Sequence, residues 1–202
     1  MKSSIIAVSV LSAVAAASAL PEAHRPAGYG GAGEWKGNKG YGKGEKGFPI
    51  PFTSTYRIKA TPDQVVDANN TATGGLPGCI GYYDFGINSE LDTICYYIKL
   101  EGFRGEYQSP ADTATHVHEA AKGKAGPPRL AFPNPKPVAG KNYRVSAGCL
   151  TGPFETGVVN NATGMDTGAG FKVKQIEDKP EGFFADVHSS LAVPGAVRGQ
   201  LY

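Results

Sequence analysis

The segment ATHVHEAAKGKAGPPRL, residues 114–130, sets two histidines one residue apart and follows them with a glutamate. Successive side chains on a β-strand point to opposite faces. In Thr115-His116-Val117-His118, Val117 therefore points one way and both histidines the other. Two such histidines stand about 7 Å apart at Cα, close enough to share one ion. A third histidine closes Phe183-Phe184-Ala185-Asp186-Val187-His188. The same alternation puts Phe183, Ala185 and Val187 on one face and Phe184, Asp186 and His188 on the other. Three neutral imidazoles suit copper or zinc. A His-X-His at a strand end, beside Glu119, equally serves to hydrogen-bond loop backbone and cap the fold. Sequence distance alone does not bring His188 to the pair.

Other chemistry is sparse. The chain carries no Gly-X-Ser-X-Gly elbow, no phosphate-binding Gly-rich loop with its Lys, and no Cys-X-X-Cys. A Ser189/His116/Asp186 triad is a combination that any β protein of this composition offers, and it is discounted. Glu177 and Asp178, in QIEDKPEG, read as part of a solvated turn. Arg198, in GAVRGQL, is a charge set among small residues in a terminal strand. It faces a site, pairs with a carboxylate such as Asp186, or forms a surface ion pair.

The elements that must position these residues are strands. TSTYRIKA alternates, and CIGYYDFGI and DTICYYIKLEGF are rich in aromatic and β-branched residues, joined by the hairpin-length NSELD. ATHVHEA, NYRVSAG, FETGVV, GFFADVHSS and AVRGQLY follow, punctuated by Gly and Pro. No segment reads as a ten-residue helix. The texture predicts an all-β sandwich or barrel over residues 51–202.

Upstream, Lys2, the apolar run IIAVSVLSAVAAA and Ala17-Ser18-Ala19 read as a secretory signal peptide over residues 1–19. Residues 20–50 are Gly- and Lys-rich, with isolated aromatics and no period, and are expected to be a disordered tail. A formal net charge of +2 is too balanced to imply a nucleic-acid partner. No further apolar stretch is long enough to span a membrane. Asn69 and Asn161 begin glycosylation sequons in polar stretches, in keeping with export. Of the three cysteines, Cys79, Cys95 and Cys149, an oxidising compartment pairs two. Three pairings exist, and Cys95–Cys149 is preferred, because Cys79 and Cys95 read as facing neighbours of one hairpin, where bridge geometry is demanding.

The two histidine segments also carry a resemblance. ATHVHEAAKGKAGPP resembles the His-Ile-His-X-Gly segment of the chordin-type (CHRD) domain, and FFADVHSSLAVPGAVRGQLY is similar to that family's closing signature. LDTICYYIKLEGF matches the strand before the first motif. The resemblance covers residues 54–202. It departs from the family pattern at Glu119 and Ala120, and in a long insertion that includes Leu150 to Phe154. It implies an immunoglobulin-like or superoxide-dismutase-like antiparallel β-sandwich, a Greek-key barrel, in a stand-alone secreted form. The implied function is non-catalytic binding of an extracellular protein or wall polysaccharide, at the cell surface or in the wall. The same motifs are more distantly similar to copper–zinc superoxide dismutase. Carried over by motif, that likeness makes His116, His118 and His188 copper ligands and Arg198 a guide for a small anion. No histidine lies between His118 and His188, so the zinc site of that family is missing, and three histidines at most remain for copper.

Overall fold

The computed structural model describes residues 51–202; the expected signal peptide and Gly/Lys-rich tail lie outside the described residues. The strands are β1 (Ser54–Ala60), β2 (Ile80–Asn88), β3 (Thr93–Glu101), β4 (Thr115–Glu119), β5 (Pro128–Phe132), β6 (Lys136–Pro137), β7 (Tyr143–Thr151), β8 (Phe183–Ser189) and β9 (Ala192–Gln200). They form two antiparallel sheets, one in the order β1-β2-β3-β7-β6 and the other β5-β4-β8-β9. The β3–β7 and β4–β8 pairings join strands distant in sequence, so the chain crosses between sheets. The result is the all-β sandwich that the strand texture predicts.

Alternation decides what lies between the sheets. Tyr83, Phe85 and Ile87 of β2 and Ile94, Tyr96, Ile98 and Leu100 of β3 face inward. Val117, Leu130, Phe132, Ala185, Val187 and Val197 meet them from the second sheet. Phe132 bridges the layers, stacking on Phe85 at 5.5 Å and tilting against Tyr96 at 4.8 Å between centroids. Each such side chain, fully buried, contributes roughly 1.5–3 kcal/mol of transfer free energy. Because Val117, Ala185 and Val187 point into this core, His116, His118, Asp186 and His188 project from the outer face of the second sheet.

One lateral edge of the sandwich is drawn shut. Thr61, just past β1, exchanges two backbone hydrogen bonds with Arg198 of β9, at 2.9 and 3.2 Å. The approach demands Gly199, where a Cβ would sit 2.5 Å from Ile58 Cγ2 and 2.9 Å from the Lys59 carbonyl oxygen.

Three details differ from the sequence reading. FETGVV is not a strand but a loop touching its neighbour through one isolated bridge, Val159 to Asp166. Gly157 takes a φ of +80° there, and Asp166 accepts hydrogen bonds from the backbone N–H of Thr156 and Gly157, so loop geometry wins over β-propensity. Conversely, Pro128–Phe132 is a strand, obscured by flanking prolines; it lies at a sheet edge, where a leading proline removes no needed donor. The stretch holding Glu177 and Asp178 forms a short helix, α1 (Lys174–Asp178), rather than a solvated turn. Ile176 is fully buried beneath it, and Glu177 accepts hydrogen bonds from the hydroxyls of Thr53 and Ser54, clasping the start of β1.

Cys95 and Cys149 form a disulfide between directly opposed positions of β3 and β7. Cys79 is a free thiol buried in the core.

Candidate metal centre

His116 and His118 sit on β4, and Asp186 and His188 on the neighbouring β8, in antiparallel register with His116 opposite Asp186. One potential ligand atom from each of the four lies within 4.8 Å of every other. His118 Nε2 is 3.4 Å from His116 Nδ1. Asp186 stands in the middle. Its Oδ1 is 3.4 Å from His116 Nδ1, and its Oδ2 is 3.3 Å from His118 Nε2 and 3.1 Å from His188 Nε2.

The opposite nitrogen of every ring is committed to backbone. His116 Nε2 donates to the Thr113 carbonyl at 2.7 Å, His118 Nδ1 to that of Gly126 at 2.8 Å, and His188 Nδ1 to that of Val193 at 2.9 Å. These bonds fix each ring's tautomer and orientation, the arrangement that outer-shell partners impose on metal-ligating histidines. Two of the carbonyls come from loops folded over the sheet and the third from the start of β9, which is why an outer face is nonetheless shielded. His116 is 1% exposed, Asp186 4% and His118 9%. Gly126 is needed for one of these approaches: a Cβ there would fall 2.0 Å from the Glu119 carbonyl oxygen.

Arg198 occupies the same face, opposite Asp186 on β9, and is almost fully buried. The pairing with Asp186, one of the roles the sequence left open to Arg198, is not formed. The guanidinium donates instead to the carbonyls of Lys124 (2.7 Å) and Ala121 (3.1 Å), and reaches Gln200 Oε1 at 3.4 Å. It also lies over the Phe184 ring, 3.5 Å from the centroid, and that ring stacks on His118 at 4.9 Å. Arg198 thus fastens the loop that carries Gly126 and so supports His118. It still borders a cavity of about 170 Å³ that Asp186, Phe184 and Gly126 also line, the place an anion guide would occupy. Glu119 takes no part in the cluster, being paired with Arg129 at 2.8 Å.

Electrostatics divides the four groups. Burial disfavours charge on Asp186, but the facing imidazoles of His118 and His188 outweigh it and hold the carboxyl well below the usual range. Burial likewise opposes a proton on His188, yet Asp186 and the Val193 carbonyl push its pKa up to about 9. At His116 burial dominates and the pKa is lowered in spite of Asp186. The cluster therefore carries an ionised carboxylate, a protonated His188 and a neutral His116 near neutral pH.

All three histidines expected from the sequence converge. The member of the cluster not singled out from the sequence as a candidate ligand is Asp186, although its alternation with His188 was a visible signal. The carbonyls of Thr113, Gly126 and Val193 left none, since a backbone group has no sequence identity.

Fold and site together define an all-β sandwich domain with a buried histidine–carboxylate cluster on one outer face. The chain belongs to the CHRD-domain family, whose model matches residues 56–201. No curated protein and no solved structure matches it. Among the described residues no helix is long and apolar enough to cross a membrane.

Proposed function

We propose that this protein works outside the cell as a non-catalytic CHRD domain that holds a transition-metal ion at His116, His118 and His188. The observation that carries the reading is the commitment of one nitrogen of every imidazole to a backbone carbonyl while the other turns to a common point. Three oriented imidazoles suit copper or zinc. A disulfide and two sequon asparagines on the exposed surface, Asn69 and Asn161, support an exported, glycosylated protein. The test is metal content: the secreted protein, stripped with chelator and titrated with Cu(II) and Zn(II), takes up one ion per chain, and His188→Ala takes up none. Uptake no greater than that of a histidine-free control protein would sink the reading.

A second role, binding of a wall polysaccharide or an extracellular protein, is favoured by the outer face of the five-stranded sheet. Tyr82, Tyr97 and Tyr143 are half-buried there, and Lys99 Nζ lies 4.7 Å from the Tyr82 ring centroid and 5.7 Å from that of Tyr143. Aromatic rings beside a cation offer stacking surface and polar contacts together. Pull-down on insoluble wall polymers checks it, with Tyr82→Ala and Tyr143→Ala expected to release the protein.

A further inference from the structure

We infer that Asp186 is the fourth ligand of the centre, and that it makes the site a closed one for a divalent ion rather than an open, redox-cycling one. The inference rests on the metal-binding reading above and goes beyond it in naming the ligand set, the class of ion and the absence of an open position.

The first argument counts donors. A histidine nitrogen facing a carbonyl must carry its ring's proton. Thr113, Gly126 and Val193 therefore claim one N–H from each ring; a protonated His188 turns its second N–H to Asp186 Oδ2, but in neutral rings Nδ1 of His116 and Nε2 of His118 present lone pairs. They face a carboxylate, which is itself only an acceptor when ionised. Asp186 Oδ1 is buried and receives no hydrogen bond from any described residue. A carboxylate oxygen so placed bears its desolvation cost uncompensated. Protonating the other two rings as well would gather three cations around one anion in a buried site, a worse arrangement. One cation at the centre satisfies every inward atom at once.

The second argument is metric. Four ligands about 2.0–2.1 Å from an ion in a tetrahedron stand about 3.3 Å from one another. With Oδ2 as the donor atom of Asp186, three of the six separations here are 3.4, 3.3 and 3.1 Å. Charge-assisted N–H···O bonds run shorter, at about 2.7–2.9 Å. The spacing is that of coligands more than of hydrogen-bonded partners.

The third argument concerns softness and access. Copper(I) is selected by soft thiolate and thioether donors, whereas a carboxylate among imidazoles suits Zn(II) and the divalent ions that share its geometry. Catalytic sites keep one position for water or substrate, while structural sites are closed by four protein ligands. Here Asp186 fills the fourth place, and the His188 side chain, the most open of the four, is 13% exposed.

The experiment uses the full secreted protein, stripped of metal and loaded separately with Zn(II), Co(II) and, under anaerobic conditions, Cu(I). Wild-type protein is expected to bind one Zn(II) or Co(II) per chain and to bind Cu(I) more weakly than Zn(II). The Co(II) form is expected to show the intense visible bands of a tetrahedral site, unchanged by added azide. Asp186→Asn should weaken divalent binding by more than the roughly 10–100-fold that losing an outer-shell partner costs. Divalent binding in Asp186→Asn at wild-type affinity and with an unchanged Co(II) spectrum would overturn the ligand assignment and leave the metal reading intact. An azide-sensitive spectrum, or Cu(I) bound more tightly than Zn(II), would overturn the closed divalent site. Those two arms use wild-type protein and stand whether or not the variant folds. Failure to bind any of the three ions would overturn this inference together with the reading beneath it.

Discussion

His116 and Asp186 face each other across the β4–β8 ladder, and their side chains meet at 3.4 Å on the outer side of the sheet. The two residues lie far apart in the chain, so only the folded ladder creates the centre. Ligands that bind the native state alone stabilise it by mass action, by about 2.7 kcal/mol at a hundredfold excess over Kd. Added Zn(II) is therefore expected to raise the melting temperature of the wild-type protein and to leave that of His116→Ala unchanged. Thermal unfolding with and without the ion checks it, and an equal rise in both proteins would place the stabilising site elsewhere.

The disulfide joins β3 to β7 across a sequence separation of 54 residues. Restricting the unfolded chain over such a loop is worth about 2–4 kcal/mol. The double substitution Cys95→Ser, Cys149→Ser should lower the unfolding free energy by that amount in denaturant titrations without changing the strand signal in circular dichroism. A change below about 0.5 kcal/mol would mean that the β3–β7 ladder itself confines the unfolded chain as strongly as the bridge does.

Asp166 organises the loop between β7 and α1. Burial favours its neutral form, but hydrogen bonds from the backbone of Gly168, Thr156 and Gly157 and from the Thr156 hydroxyl outweigh this and hold its pKa below the ordinary 3.8. A depressed carboxyl pKa contributes stability that is present above the unfolded value and lost as pH falls through the folded one. Asp166→Asn should cost roughly 1–2 kcal/mol at neutral pH. The gap from wild type should hold down to about pH 5 and narrow below pH 4. Equilibrium unfolding across that range measures it; a gap that widened in acid would refute the assignment.

Cys79 is fully buried, and desolvation outweighs the nearby Arg104 charge to push its thiol up to about 11. The thiolate is the reactive species, so the native protein should show no titratable thiol to a disulfide reagent at pH 8. One thiol per chain should appear on denaturation. Fast reaction in the native state would show that the core opens locally around the start of β2.

Much of this was open to reading from the chain. Alternation in YYDFGI and ICYYIKL gives strands with one apolar face, because side-chain direction on a strand is a local property of the backbone. The same rule puts His116 with His118 and Asp186 with His188, away from Val117 and Val187. FETGVV and PRLAF misled for a related reason. Propensity speaks for residues singly, whereas the Asp166 hydrogen bonds and an edge position are decided by distant partners.

What the sequence by itself determined is the set of faces: which residues point inward, and which polar residues share an outer side. What only the tertiary structure decided is the meeting of those sides. Antiparallel pairing of β4 with β8 sets His116 against Asp186, and two loops and the start of β9 bring the carbonyls of Thr113, Gly126 and Val193 to the rings. Side-chain direction follows from the local backbone, but strand register and loop closure depend on contacts far apart in the chain. The centre is made of those contacts.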